Sequence, residues 1–324
     1  MRRYFFKLFC GLIVIVSLVS ITFGWSVDRS QVLTNLTWHI LQEWHYSPRK
    51  LDDQLSKDVF ALYIESLDPD KRFFTKADLE MMQKYERAID QEIEEGNSKL
   101  MVLSSWLLSQ RIQEVQAMAK EILAEPFNYF VEEELELDAR KRDYAKDSEE
   151  LRELWRKMLK YQTILTYLDL AAGEKPVALE VIDEEKEAQA REKVAKNLQR
   201  TLNRLLTDNK EEAFYRYLNA ITKSFDPHTT YFTPEKKEDF DIEMRGTLEG
   251  IGALLQEDGE YIKVVEIIPG GAAWRQGELK PGDLILEVAQ GKEEEVVDLY
   301  NMRVDEAVRY IRGKKGTEVR LTVK

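Results

Sequence analysis

Cysteine and histidine are nearly absent, with one Cys and three His among 324 residues. A single thiol forms no internal disulfide, and there is no Cys cluster to hold zinc. His39 and His45 are six residues apart, roughly 240° around a helix, so they do not share a face. His228 sits in a turn beside Asp226, where a local hydrogen bond is the expected role, and no His-Glu-x-x-His pattern occurs. Neither a metal nor a cofactor is expected. A basic surplus is missing too: 47 Lys and Arg stand against 60 Asp and Glu, giving a formal charge of −13. The basic residues are interspersed with acidic ones, which excludes a nucleic-acid partner. Long apolar runs are scarce, and the longest, Leu8 to Phe23, falls short of the ~20 residues of a spanning helix. Glycine is almost missing from Ser26 to Ser224, which leaves that half little material for turns between strands.

That apolar run follows Arg2, Arg3 and Lys7 and precedes polar sequence, the arrangement of an export signal. Residues 1–24 are assigned to it. Cleavage after Gly24 would put Thr22 and Gly24 before the cut, whereas an uncleaved signal would anchor the chain at an inner membrane. Cys10 precedes most of the run, so it is not a lipid-modified residue at the cut. An exported chain without disulfides fits a periplasm, and its stability has to come from core packing. The 44% hydrophobic content is enough for that.

Residues 25–240 read as an all-α domain. Lys99 to Glu125 carries Leu100, Leu103, Leu107, Ile112, Val115, Met118, Ala119 and Ile122 near one face, until Pro126 stops the helix. Glu149 to Leu170 repeats the design with Leu151, Leu154, Trp155, Met158, Leu159, Gln162, Leu165 and Leu168, and ends before Gly173 and Pro176. Glu180 to Asp208 is more charged, with a narrow stripe of Val194, Leu198, Thr201, Leu202 and Leu205. The acidic runs Glu132–Glu134 and Glu293–Glu295 read as solvated faces or loops. Two decapeptides, Ser66 to Thr75 and Ser224 to Thr233, share a Ser, an Asp-Pro, an aromatic pair and a closing Thr. Each reads as a turn in which Asp68 or Asp226 bonds local backbone, with Thr75 or Thr233 capping the next helix.

Residues 241–324 change character. Leu248-Glu249-Gly250-Ile251-Gly252-Ala253 sets two glycines around one apolar residue, directly before a strand-like run. Such a loop curls so that successive N–H groups converge on an anion. Gly250, Ile251, Gly252 and Ala253 are therefore the candidates for binding a peptide's terminal carboxylate. The strand from Ala253 to Gln256 offers an edge on which that peptide could add. Downstream, Tyr261 to Ile267 reads as a strand, Pro269-Gly270-Gly271 as a turn, and Ala272 to Gln276 as one helical turn stopped by Gly277. Lys280 to Asp283 reads as a turn and Leu284 to Val288 as a strand. Val304, Ala307, Val308 and Ile311 then fall at i, i+3, i+4 and i+7, a helical stripe ended by Gly313, before a last strand from Thr317 to Val323. With Leu254 and Leu255, these four stripe residues are the expected walls of a peptide groove. Arg245 lies a few residues upstream, with a surface salt bridge as its expected role. The fold class expected is multidomain: an all-α domain, then a small β-rich domain with two short helices.

In this order of elements, the segment from about Gly246 to Lys324 resembles the PDZ domain of the carboxy-terminal processing (tail-specific) proteases. The resemblance rests on Gly250-Ile251-Gly252, Pro269 to Ala273, Leu279 to Asp283 and Val308 to Gly313. The Asp-Pro-aromatic turns resemble those near the start and end of that family's helical N-terminal domain, so the likeness covers nearly the whole chain. It implies recognition of the apolar C-termini of exported proteins, with a helical-repeat lipoprotein adaptor as a further partner. It also implies a serine activated by a lysine in a domain that follows the PDZ domain. No Ser or Lys up to Lys324 is nominated as catalytic, and this chain is expected to be inactive by itself. A non-enzymatic peptide-binding adaptor and a helical chaperone or scaffold are the alternatives.

Overall fold

The computed structural model describes residues 29–171, 182–207, 210–245, 250–291, 296–313 and 316–324. The leader with Cys10, the Gly173 and Pro176 breakers, Leu248-Glu249 and the Glu293–Glu295 run lie outside them, as does the Arg245 side chain. The chain divides into two compact units, Met1–Tyr231 and Phe232–Lys324.

The first unit is helical: α1 (Arg29–Trp44), α2 (Asp53–Leu67), α3 (Lys76–Gln83), α4 (Ile89–Glu95), α5 (Lys99–Ile122), α6 (Ser148–Ala171), α7 (Glu184–Thr207) and α8 (Lys210–Phe225). Apolar residues at helical spacing bury one face of each long helix. One core gathers Leu55, Val59, Tyr63, Phe74, Met82 and Tyr217 around α2 and α8. A second gathers Ile112, Val115, Leu151, Trp155, Leu159 and Val194 from α5, α6 and α7.

The Asp-Pro turns are local scaffolds. Asp68 is buried and accepts the backbone N–H groups of Arg72, Phe73 and Phe74, each at 2.9 Å. Thr75 then caps α3 in a reciprocal box with Asp78. In the second copy, the Asp226 carboxylate accepts the His228 N–H at 2.7 Å and its carbonyl accepts the Thr229 N–H at 3.0 Å, and Thr233 Oγ1 accepts from Lys236 N–H at 3.2 Å.

Two readings of the helical half change. Beyond Trp155 the buried face of α6 runs through Leu159, Lys160, Thr163 and Tyr167, while Leu165 is 45% exposed. Lys160 is buried because its ammonium donates to Glu133 at 3.2 Å and to the Val131 carbonyl at 3.4 Å. Glu133 is therefore no loose solvated charge. It holds the segment between α5 and α6 onto α6, and the hydrogen bond from Arg156 is the main cause lowering its pKa below the usual carboxylate range.

The second unit opens with α9 (Pro234–Arg245), followed by β1 (Ala253–Asp258), β2 (Tyr261–Ile267), α10 (Ala272–Gln276), β3 (Leu284–Gln290), β4 (Val297–Asp298), α11 (Val304–Ile311) and β5 (Val319–Val323). The sheet is antiparallel, in the order β1-β2-β3-β4, with β5 also pairing β3. Its core is Ile262, Val264, Ile285, Val288, Leu299, Ala307 and Ile311. The sheet with its two short helices is the expected β-rich domain, with the short strand β4 as an addition.

Candidate peptide-binding site

Gly252 has φ +75°, the left-handed region that favours glycine. A Cβ placed on it would lie 2.8 Å from the Gly271 Cα, so the loop and the turn before α10 touch backbone to backbone. Two hydrogen bonds fix this contact. The Ile251 carbonyl accepts the Ala273 N–H at 2.7 Å, and the Gly252 carbonyl accepts the Ile268 N–H at 2.9 Å.

These bonds settle where the next N–H groups point. In a planar trans peptide, the N–H lies on the opposite side from the C=O, and the chain has no cis peptide bonds. The Ile251 carbonyl aims at α10, so the Gly252 N–H aims away from it. The Gly252 carbonyl aims at the residue following β2, so the Ala253 N–H aims away from β2. The Gly252 N–H is therefore turned away from α10, and the Ala253 N–H after it faces the side of β1 that no strand occupies among the described residues. There β1 pairs with β2 alone, and its other edge is open.

Helix α11 lies beside β1. Its first residue, Val304, donates its backbone N–H to Glu257 Oε1 at 3.1 Å, which ties the start of the helix to the far end of the strand. Along β1, exposure alternates: Ala253, Leu255 and Glu257 are half-buried, while Leu254, Gln256 and Asp258 are exposed. Ile251, Ala253, Leu255 and Val304 all pack against the domain core.

The residues expected to bind the carboxylate and to line the groove thus separate into four groups. Ile251, Ala253, Leu255, Val304 and the half-buried Val308 lie on the loop, strand face and helix face that bound the groove. Ala307 and Ile311 are 0% and 3% exposed and belong to the core beneath. Leu254 is 53% exposed and stands on the other face of β1. Gly250 is exposed, at the mouth of the loop.

One residue at this mouth went unnoticed in the sequence. The Arg312 Cγ lies 3.9 Å from where a Cβ on Gly250 would sit, so this side chain borders the loop before β1. Gln290 Nε2 donates to the Arg312 carbonyl at 3.0 Å and to the Tyr310 carbonyl, which pins the end of α11 to β3. The available signal was a basic residue directly after the helical stripe.

His45 Nε2 lies 3.0 Å from Thr229 Oγ1 with its ring edge-on to Phe225, and His39 is exposed. Among the described residues, no three His, Cys, Asp or Glu side chains gather as metal ligands, and no helix is long and apolar enough to cross a membrane.

Comparison with known proteins covers both units. The family model described as the tail specific protease N-terminal domain matches residues 37–235, and that of the PDZ domain matches 239–324. The chain is 28% identical over 297 residues to a tail-specific protease of Haemophilus influenzae, covering 91% of this chain and 41% of that protein. It is 42% identical over 96 residues to the carboxy-terminal processing protease CtpA of Bacillus subtilis, covering 30% of this chain and 19% of that one. The chain therefore spans less than half the length of these relatives. A solved PDZ domain of a carboxy-terminal protease from Vibrio cholerae, in complex with peptide, is 42% identical to it. That likeness covers 24% of this chain and 76% of that one, with a TM-score of 0.23.

Proposed function

Since the chain belongs to the tail-specific, carboxy-terminal processing protease family, we propose that its PDZ domain captures the free, apolar C-terminus of an exported polypeptide. The captured tail adds as a strand to the open edge of β1. Its carboxylate is received by the N–H groups of Gly252 and Ala253, and its last side chain by Ala253, Leu255, Val304 and Val308. Capture serves hydrolysis of the bound polypeptide by a serine-lysine site of the whole protease, in the periplasm. In that arrangement the groove selects the substrate and contributes no chemistry of its own.

The observation that supports the reading is the Ala253 N–H turned toward the open edge of β1, with the Gly252 N–H just before it turned away from α10. An anion held there needs no charged partner, because backbone donors that converge on it supply the interaction. Arg312 adds a favourable charge at the rim.

The test is titration of the chain with a labelled peptide ending in Leu-Ala, against its C-terminally amidated twin. Removing the carboxylate deletes hydrogen bonds to a charged group, and the expected loss is about 1.5–3 kcal/mol, which is roughly 10- to 150-fold in affinity. A peptide ending in Asp should bind poorly, since the groove walls leave its side chain unpaired. Equal affinity for the free and amidated peptides would refute the carboxylate loop. Failure of both to bind would refute capture altogether and favour a scaffold role for the helical unit.

A further inference from the structure

The two ends of the groove differ in charge. Arg312 borders the loop at the head of β1, whereas the far end is acidic: Glu257 and Asp258 close β1, and Asp305 and Glu306 stand in the first turn of α11. Two cations of this end are engaged by other carboxylates. Arg303 Nε donates to Asp305 at 2.9 Å, and Lys263 Nζ donates to Asp258 at 3.0 Å. Glu257 Oε1 accepts the Val304 N–H at 3.1 Å, and a carboxylate with about four lone-pair sites can accept from a further donor.

The register of a captured tail follows from the strand. Alternate residues of β1 turn their backbone groups to the same side, so the open edge that takes the Ala253 N–H also takes those of Leu255 and Glu257. The side chains of these three are the half-buried set, while Leu254, Gln256 and Asp258 stand on the other face. A tail whose carboxylate meets the Ala253 N–H at the head of β1 runs antiparallel to the strand. With its last residue counted as 0, it exchanges backbone bonds with Ala253 at position 0, with Leu255 at −2 and with Glu257 at −4. Residues directly opposite in such a pair share a face of the sheet, with Cα atoms about 5.5 Å apart, so the side chain at −4 comes to lie against Glu257.

We propose, resting on the capture set out above, that the groove selects tails with Lys or Arg at position −4, whose cation meets Glu257 while the apolar end fills the pocket. The substrates are then polypeptides in which an apolar C-terminus follows a basic residue at that one spacing.

Titration of the chain with labelled hexapeptides Gly-X-Ser-Ala-Leu-Ala, where X is position −4, tests this. An opposite-charge cross-strand pair strengthens binding by about two- to fivefold and a like-charge pair weakens it by a similar factor, so Lys at X should bind about 4- to 25-fold tighter than Glu, with Ala between them. High ionic strength should shrink that ratio. Lys moved to −3 lies opposite Gln256 on the other face and should bind no tighter than Ala there, whereas general attraction to an acidic chain would favour it at either place. Glu257→Gln keeps an oxygen for the Val304 N–H and removes the charge, so the ratio of Lys to Glu should fall close to one. If Glu257 only places α11, all peptides shift together and the ratio survives. The amidated twin of the peptide with Ala at X separates two failures. Equal affinity for it and the free peptide, or no binding of any peptide, would refute the capture and this selection with it. A weaker amidated twin, together with no preference for Lys at −4, an equal preference at −3 or a ratio untouched by Glu257→Gln, would overturn the selection alone.

Discussion

Replacing Gly252 by alanine imposes two separable penalties on the loop that leads into β1. The first is conformational: at φ +75° an L-residue brings its Cβ against the following carbonyl, which costs about 1–2 kcal/mol. The second is steric. The new methyl would lie 2.8 Å from the Gly271 Cα and 3.4 Å from the Ala272 nitrogen, both backbone atoms that no rotamer change can move aside. Forcing that contact open costs about 1–3 kcal/mol. Relief by displacement breaks the bond between Ile268 N–H and the Gly252 carbonyl, the bond that orients the Ala253 N–H. Gly271→Ala isolates the steric part. Gly271 has no positive φ, yet its Cβ would meet the Gly252 Cα at 2.9 Å and the Ile268 carbonyl oxygen at 3.0 Å. The expected order of damage is therefore Gly252→Ala, at about 2–5 kcal/mol, above Gly271→Ala, at about 1–3. Both would exceed Ala253→Val, which sits in ordinary strand. Calorimetric unfolding of the second unit measures the stability loss, and titration with the Leu-Ala peptide measures the loss of binding. Wild-type binding and unfolding in Gly271→Ala would refute the claim that the two backbones must touch.

Val308→Glu should weaken the free-carboxylate peptide by more than tenfold, through like-charge repulsion, while leaving the melting temperature of the second unit nearly unchanged. Ala307→Glu, at a fully buried position, should unfold that unit instead. Trp155→Ala should cost the helical unit about 3–5 kcal/mol in denaturant unfolding, because the indole is 1% exposed and lies against Phe73. Trp155→Phe should cost about 1–3 kcal/mol, since it strands the Arg72 carbonyl that accepts the indole N–H at 2.7 Å. Burial pushes the Glu92 carboxyl above its usual range, despite bonds from the Tyr217 hydroxyl and the Leu100 N–H. The folded chain then holds that proton at pH values where the unfolded chain has lost it, so stability falls as pH rises from the ordinary glutamate range through the raised value. Glu92→Gln should flatten this slope in unfolding measured from acid to neutral pH, and an unchanged slope would refute the assignment.

Helices α5, α6 and α7 were legible because their apolar residues recur with the helical period and their ends carry recognisable stops. Pro126 follows α5, and α6 begins just after Asp147, whose carboxylate accepts the N–H groups of Glu149 and Glu150. The long connection between α5 and α6 was not legible. Its hold on the body depends on Lys160, which sequence pattern assigns to the solvent side, and on Glu133, one of three consecutive glutamates. Their pairing joins residues 27 apart in the chain, and no local period reports a contact of that range. Strand β4 escaped for a related reason. Two residues carry no alternation, and its pairing exists only because β3 is already in place.

The groove shows a different limit. A helical stripe of Val304, Ala307, Val308 and Ile311 says that one face of α11 is apolar, without saying how that face is divided between core and groove. The division follows from the height at which the helix sits over β1. The Val304 N–H bonded to Glu257 sets that height at one end, and Gln290 holding the Tyr310 and Arg312 carbonyls sets it at the other. With both ends tied to the sheet, Ala307 and Ile311 are pressed into the core, leaving Val304 and Val308 at its margin. The loop glycines conveyed more, because their requirement is local. The carbonyl bonds to Ile268 and Ala273 fix the loop before β1 and turn the Ala253 N–H toward the open edge. In the proposed capture, affinity for a carboxylate would therefore rest on residues adjacent in sequence. Selectivity for the side chain beside it would depend on Glu257 and Gln290, which act by placing α11.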